Sequence, residues 1–234
     1  MFELVLSAPG KNALSTSVLE DLRRRLSEAR GEPVLLSGAG DAFCAGLNLK
    51  EVATLDRDGA RRLLGVLEGL VDALYSYPAP TVALVNGHAI AGGCILALCC
   101  DHRVAASDPR IRIGLNETAL GLPFPPKTLA MVRSRVPPGA LDRVILEAGL
   151  YPPAQAQALG LVDEVADDAR AVAVAALERL SGHPRDAYAR NKARIRGGLL
   201  ALGPLEQAAE EELARIWGSA EVRARAAAAL QAKR

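Results

Sequence analysis

Thr81-Val82-Ala83-Leu84-Val85-Asn86-Gly87-His88-Ala89-Ile90-Ala91-Gly92-Gly93-Cys94-Ile95-Leu96-Ala97-Leu98-Cys99-Cys100-Asp101 is the stretch on which the fold turns. Thr81 to Val85 is an unbroken apolar, β-rich run, the pattern of a strand buried on both faces. Asn86-Gly87 reads as a turn, because both residue types tolerate positive φ. Gly92-Gly93 opens an apolar segment, Cys94 to Cys100, long enough for about two helical turns. A strand, a turn and a glycine-led helix start leave free backbone N–H groups at the helix N-terminus, where they favour negative charge. The same glycines also suit a purely structural role, close packing of helix on strand.

Length and composition bound the rest. The chain of 234 residues is long enough to bury a substantial core, and reads as one domain with a small appendage. A net charge of +1 and 3% aromatic residues leave no basic footprint and no stacking platform for nucleic acid, and no electrostatic attraction to an anionic membrane. The longest run without Asp, Glu, Lys or Arg, 73–100, is interrupted by Pro78, Pro80, Asn86 and Gly87, so no membrane span is expected. Met1-Phe2-Glu3-Leu4 carries an acid where an export signal would carry positive charge. Cys44, Cys94, Cys99 and Cys100 lack paired C-x-x-C spacing, so reduced thiols packed as small hydrophobes are expected, in a cytoplasmic protein.

Moving outward from the central stretch, Phe2 to Leu6 and Val34 to Leu36 read as strands, with Ala8 to Asn12 and Ser37 to Gly46 as loops. Ser17 and Glu20 have capping-box spacing ahead of the stripe Val18, Leu19, Leu22, Leu26, and Gly31 ends that helix. Leu63, Leu67, Leu70, Val71 and Leu74 mark a second helix, over about 58–75, which Pro78 and Pro80 stop. Beyond Asp101, His102 to Ala106, Ile111 to Ile113 and Leu161 to Val165 read as strands. Helices are expected around 128–135, over 139–148 with Gly149 as the residue past its end, and over 153–159. From Asp168 onward the Ala-, Glu- and Arg-rich sequence reads as helices broken at Gly182-His183-Pro184, Gly203-Pro204 and Gly218-Ser219. The expected organisation is an α/β core over residues 1–166 and a helical subdomain over 167–234.

Several motifs are excluded. Gly38-Ala39-Gly40-Asp41-Ala42-Phe43 begins like a dinucleotide fingerprint, but Phe43 stands where the third glycine belongs, and no phosphate loop is present. His102 and His183 have no partners at metal-ligand spacing, so no metal site is expected. His88, Asp101 and Arg103 read as structural. What remains is three pieces in order: Phe43-Cys44-Ala45-Gly46-Leu47-Asn48-Leu49-Lys50-Glu51, then Gly87 to Asp101, then Ile113-Gly114-Leu115-Asn116-Glu117-Thr118, which carries a lone acid in apolar surroundings.

Together these pieces resemble the enoyl-CoA hydratase/isomerase (crotonase) family, and in Ala45 to Leu49, Ala91 to Cys94, Cys100 to Arg103 and Ile113 to Thr118 the nearer likeness is to its 3,2-trans-enoyl-CoA isomerase branch. The resemblance implies a crotonase (ClpP-like) fold, a spiral of ββα units with a helical C-terminal subdomain that supports trimers or dimers of trimers. It implies that the N–H groups of Leu47 and Gly92 form an oxyanion hole, that Glu117 is the catalytic base, and that Lys11, Ala13, Ala45, Gly46, Leu47, Asn48, Leu49 and Gly92 border the CoA substrate. CoA then enters as the substrate thioester, and no separate cofactor is needed. The chain departs from the family in lacking the first strand or hairpin, and in Asn48, which replaces the usual aspartate.

The chemistry fits those roles. Taking a proton alpha to a thioester puts charge on the carbonyl oxygen, which two fixed N–H donors stabilise. The base needs a pKa near neutrality, and desolvation raises a carboxylate towards it. Hydratases of the family carry a second glutamate at the position of Ile95, and a Gly-Gly pair where this chain has Gly121-Leu122-Pro123-Phe124-Pro125-Pro126. One carboxylate suffices to move a proton from C2 to C4, so isomerisation is expected. Hydration, another acyl-CoA lyase or hydrolase reaction, and a family member without catalysis are the alternatives.

Overall fold

The computed structural model describes residues 1–201 and 203–232. Among these, eight strands are formed: β1 (Phe2–Leu6), β2 (Val34–Gly38), β3 (Ala42–Cys44), β4 (Thr81–Val85), β5 (His88–Ile90), β6 (His102–Ala106), β7 (Ile113–Gly114) and β8 (Glu164–Ala166). The longer helices are α1 (Thr16–Glu28), α2 (Arg57–Tyr75), α3 (Gly92–Cys99), α4 (Pro126–Arg135), α5 (Ala169–Ser181), α6 (Arg185–Arg196), α7 (Pro204–Trp217) and α8 (Ala220–Ala232). None of the described helices is long and apolar enough to cross a membrane.

The strands sort into two sheets, with order β1-β2-β4-β6-β8 in the larger and β3-β5-β7 in the smaller, every pair parallel. The chain therefore passes from the larger sheet to the smaller and then into a helix, in turn as β2-β3-α2, β4-β5-α3 and β6-β7-α4. β4 is buried along its whole length, as a parallel strand covered on both faces must be. One face meets the main core. The other meets α5, whose Ala169, Ala173, Ala176 and Leu177 pack on Leu35, Val82, Leu84 and Val104. Leu213, Trp217, Val222 and Ala226 of α7 and α8 join the main core. The residues after 167 thus share apolar surface with both faces of the α/β part.

Local differences from the sequence reading have tertiary causes. The cap of α1 is Ser15, whose Oγ accepts from the Val18 N–H, instead of Ser17. Thr16 donates through its N–H and hydroxyl to Glu51, which fixes the helix start from outside, and Glu20 pairs with Arg62. Neither Asn86 nor Gly87 has positive φ. Instead the Asn86 carboxamide accepts from the Gly38 N–H at 2.9 Å and donates to the Gly38 carbonyl at 2.8 Å, while a Cβ on Gly87 would overlap the Asp41 carbonyl. β3 and β5 lie in stretches read as loop and turn. Each has three residues, too few to show a period of two, and they are held by pairing with each other and with β7.

The strand expected at 111–113 is displaced to β7, because Ile111 N–H still closes the turn on the Asp108 carbonyl. The last strand likewise starts later, at Glu164, since Leu161 N–H remains bonded to Ala156. The helix expected over 139–148 is a tight turn at Pro138–Ala140 followed by Leu141–Ile145. Ala148, not Gly149, carries the positive φ there, and Tyr151 pairs with Ile113, which draws the chain back to β7 early.

Buried charge ties the C-terminal end of α3 to α4 and α6. Arg135 donates to the carbonyls of Leu98 (3.1 Å), Cys100 (2.7 Å) and Asp101 (3.1 Å). Arg196 reaches the Cys99 carbonyl at 3.3 Å. Cations there complement the helix dipole and satisfy carbonyls that have no partner within the helix. The Asp101 carboxylate accepts from Lys192 and Arg196, both at 2.7 Å, and from the Thr81 N–H at 2.8 Å. Arg103 pairs with Asp163 and His102 with Glu164, joining β6 to the segment of β8, which gives Asp101 and Arg103 the structural roles expected of them. All four cysteines are buried and free, as expected.

Removing the carboxylate that Lys192 and Arg196 share leaves two buried cations without their acid. Asp101→Ala should therefore lower stability by about 3–5 kcal/mol, seen as a lower urea midpoint at unchanged slope. A loss below about 1 kcal/mol would show that the carbonyls alone hold the two cations.

Candidate active site

α3 begins at Gly92, and the first N–H groups of a helix have no acceptor within it. Ala91, just before it, has φ 51 and ψ −120, a backbone geometry that residues with a side chain adopt only under constraint. The constraint is a bond from the Ala91 N–H to the Gly114 carbonyl of β7 at 2.8 Å. This bend turns the chain out of β5 and aims the start of α3 at the segment after β3. A Cβ placed on Gly92 would lie 3.7 Å from the Leu47 nitrogen.

Leu47 is presented by a short parallel bridge to Leu14. Leu14 N–H donates to the Gly46 carbonyl and Asn48 N–H to the Leu14 carbonyl, both at 2.8 Å. In such a bridge the middle residue turns its own amide away from the partner. Among the described residues, neither the Leu47 nor the Gly92 N–H has a backbone acceptor. Two free N–H groups from separate segments therefore stand side by side.

Glu117 enters from β7. Its carbonyl accepts from the N–H groups of Leu120 and Leu122, both at 3.0 Å, which winds the chain into the tight turn Thr118–Leu120. The side chain is 6% exposed, and its Oε2 has no hydrogen-bond partner. Burial pushes its pKa from 4.5 up to about 8. The pocket it shares is walled by Ala45, Leu47, Leu49, Gly92 and Ile95 on one side of the chain order and Leu120, Leu122 and Phe124 on the other. Glu117 is the one acid among the lining residues, and Ile95 lines the same pocket.

Of the residues singled out in the sequence, the structure brings Ala45, Leu47, Leu49, Gly92 and Glu117 into one pocket. The others, Lys11, Ala13, Gly46 and Asn48, lie in the two segments joined by the Leu14–Leu47 bridge. Ala45 N–H donates to the Lys11 carbonyl at 3.0 Å, and Ala13 precedes the Leu14 bridge. The Lys11 ammonium is exposed, 3.5 Å from Asp41. Asn48 caps the short helix Leu49–Val52 through its Oδ1, so replacing an acid there costs no fold element. His88 is structural, as read: its Nδ1 accepts from the Arg112 N–H at 3.0 Å.

Three features escaped the sequence reading. Asn12 is buried with φ 60, and its Nδ2 donates to the carbonyls of Ala39, Ala42 and Phe43, which holds the loops around the rim. Trp217 lines the pocket from α7, its indole N–H spent on the Pro123 carbonyl at 3.1 Å. Asn116 also lines the pocket, with its Oδ1 buried and unpartnered. The single tryptophan of the chain was a visible signal; the roles of the two asparagines are not legible without the loops that surround them.

Comparison with known proteins places this arrangement in context. The family model for enoyl-CoA hydratase/isomerase matches residues 2–219. The chain is 31% identical over 195 residues to human enoyl-CoA delta isomerase 1, mitochondrial, covering 80% of this chain and 65% of that protein. It is 34% identical over 170 residues to a putative enoyl-CoA hydratase of Thermus thermophilus, covering 69% of this chain and 66% of the relative. The chain thus spans slightly under two thirds of these relatives' own length. The crystal structure of human mitochondrial delta3-delta2-enoyl-CoA isomerase superimposes with a TM-score of 0.90 at 26% identity, over 97% of this chain and 91% of that one. Isomerase and hydratase names occur at similar identity, so these likenesses fix the family and the crotonase fold, and leave the reaction to the site.

A carboxyl whose folded pKa lies above its unfolded one binds its proton more tightly when folded. Its stabilising contribution is complete below pH 4.5 and drains away as pH rises to about 8. Glu117→Gln, which cannot ionise, should equal the native protein in stability at pH 4.5 and exceed it by on the order of a few kcal/mol at pH 9. Urea unfolding of both proteins at the two pH values checks this; a difference independent of pH would mean that the carboxyl finds a partner when ionised.

Proposed function

The chain belongs to the enoyl-CoA hydratase/isomerase family, and we propose that it moves the double bond of a 3-enoyl-CoA to the trans-2 position. In this reading the thioester oxygen sits between the N–H groups of Leu47 and Gly92, and the Glu117 carboxylate removes a proton from C2. The C2–H electrons form the C1=C2 bond of the dienolate as the carbonyl π pair moves onto the oxygen, with C3=C4 still in place. Electrons then return from that oxygen, C4 takes the proton from the Glu117 carboxylic acid, and the C3=C4 bond is replaced by C2=C3. Atoms balance with no water, metal or redox partner, since the proton borrowed is the proton returned.

The observation that carries the proposal is that the pocket has one acid, Glu117, with Ile95 beside it. Addition of water by two carboxylates needs a second group to hold and deprotonate the water, and an isoleucine can do neither. Desolvation supports the base role as well. An ordinary carboxylate is a weak base at neutral pH, whereas one raised to about 8 holds a C2 proton well enough to carry it and still release it. Fixed amide donors at the developing oxyanion are worth about 2.7–4 kcal/mol each in comparable sites. The rim residues Lys11, Ala13, Ala45, Gly46, Asn48 and Leu49 are proposed to border the CoA, with the acyl tail among Leu120, Leu122, Phe124 and Trp217. The C-terminal helices are proposed to support a trimer or a dimer of trimers.

Three measurements test this. With 3-hexenoyl-CoA and crotonyl-CoA supplied separately, isomerisation of the first should exceed hydration of the second; faster hydration overturns the reading, and turnover of neither makes the protein a non-catalytic member. Glu117→Gln should reduce kcat roughly 10²–10⁴-fold at unchanged acyl-CoA affinity. Because the base must be ionised, kcat/KM of the native protein should climb with pH and level off above about 8. A profile already flat from pH 5 would place the working base elsewhere.

A further inference from the structure

Two oxygens in this pocket have no partner: Glu117 Oε2 and Asn116 Oδ1, each fully withdrawn from solvent. Both belong to residues that line the same pocket, and they are consecutive in the chain where β7 gives way to the Thr118–Leu120 turn. As drawn, both are acceptors, and a buried acceptor without a donor costs about 1–3 kcal/mol. Apart from the free N–H groups of Leu47 and Gly92, the neighbouring polar groups are engaged or neutral. Trp217 donates to Pro123, and the Cys94 thiol, which faces Glu117 from α3, is held protonated by burial and by the carboxyl beside it. The remaining walls, among them Leu47, Ile95, Leu120 and Leu122, are apolar.

One proton shared between them would satisfy both oxygens. We propose that Asn116 is the hydrogen-bond partner of the protonated Glu117 carboxyl, with Oε2–H donating to Oδ1, so that the carboxamide is a positioning residue for the proton in transit. This deepens the isomerase reading and rests on it for its catalytic meaning. When the C2 proton arrives on Glu117, the new O–H points at Asn116 and leaves the acid in one orientation until C4 is ready to receive it. The bond exists only in the protonated state, which is the state paired with the dienolate. Asn116 therefore stabilises the intermediate more than the substrate complex, and that is the condition for an interaction to raise kcat. It also matches the direction in which burial already moves the carboxyl.

Infrared difference spectroscopy of substrate-free protein at pH 6, native minus Glu117→Gln, isolates the carboxyl C=O stretch. The expected band is that of a hydrogen-bonded carboxylic acid, shifting to the higher frequency of an unbonded acid in Asn116→Leu. The near-isosteric leucine keeps the shape and removes the acceptor. A native band already at the unbonded position, an ionised carboxyl at pH 6, or a band that does not move in Asn116→Leu each overturns the proposal. The first two outcomes do not use Asn116→Leu, so a poorly folding Asn116→Leu does not protect the idea. On 3-hexenoyl-CoA, Asn116→Leu should lose roughly tenfold in kcat at unchanged KM, the size expected for one hydrogen bond to a neutral acid. The infrared result is independent of turnover, so a native protein with no isomerase activity but a bonded acid refutes the reaction and not the pairing.

Discussion

The close approach of α3 to β3 is the constraint on which the remaining structure rests. A Cβ on Gly93 would sit inside the Cys44 carbonyl, so the helix lies with its backbone directly on the small sheet. No side chain separates the two elements, and the segment after Cys44 is thereby brought beside the first turn of the helix. That contact places the Leu47 and Gly92 amides next to each other, and neither could be moved independently. The far end of the helix is fixed as firmly, by Arg135 and Arg196 on its carbonyls and by Asp101 below them. A short apolar helix of eight residues has little stability of its own and takes its position entirely from these two ends.

The pocket then sets conflicting demands on Glu117. Its apolar walls exclude the water that would solvate a carboxylate, and nothing charged is supplied in compensation. The result is a group that is poorly placed for folding and well placed for accepting and releasing a proton near neutrality. Backbone strain at Ala91 is of the same kind, a local cost located where the chain leaves the Gly92 N–H without an acceptor. The larger sheet, the α5 layer behind it and the ion pairs of β6 with β8 contribute no polar group to the pocket. They supply the rigid frame that holds these unfavourable local states in place.

Membership of the family and the crotonase fold follow from likeness along nearly the whole chain, whereas the reaction depends on single side chains that likeness at this level does not fix. Relatives named for isomerisation and for hydration are about equally similar. In the proposed reading, what separates the two chemistries is whether a second acid shares the pocket with Glu117, where the structure has Ile95. Oxyanion stabilisation is shared by both reactions and does not discriminate between them. Counting carboxyls around the pocket does.

The sequence by itself determined the buried strand Thr81–Val85, the helix led by Gly92, the amphipathic α2 and the lone acid at Glu117, because each is declared by local chemistry: an apolar run, a glycine pair, a period of 3.6, a charge among leucines. Its three motifs in order also pointed to the family. Only the tertiary structure decided the small sheet, since β3, β5 and β7 are two or three residues long and exist through mutual pairing. The recurrence of strand, strand and helix left no repeated sequence, because each unit meets different neighbours and conserves geometry without conserving residues. The start of α1, the conformation at Asn86-Gly87 and the end of the segment before Tyr151 were all set by partners distant in sequence. So were the contributions of Asn116 and Trp217 to the pocket. Burial is a property of surroundings, and the surroundings of a side chain come mostly from residues far along the chain.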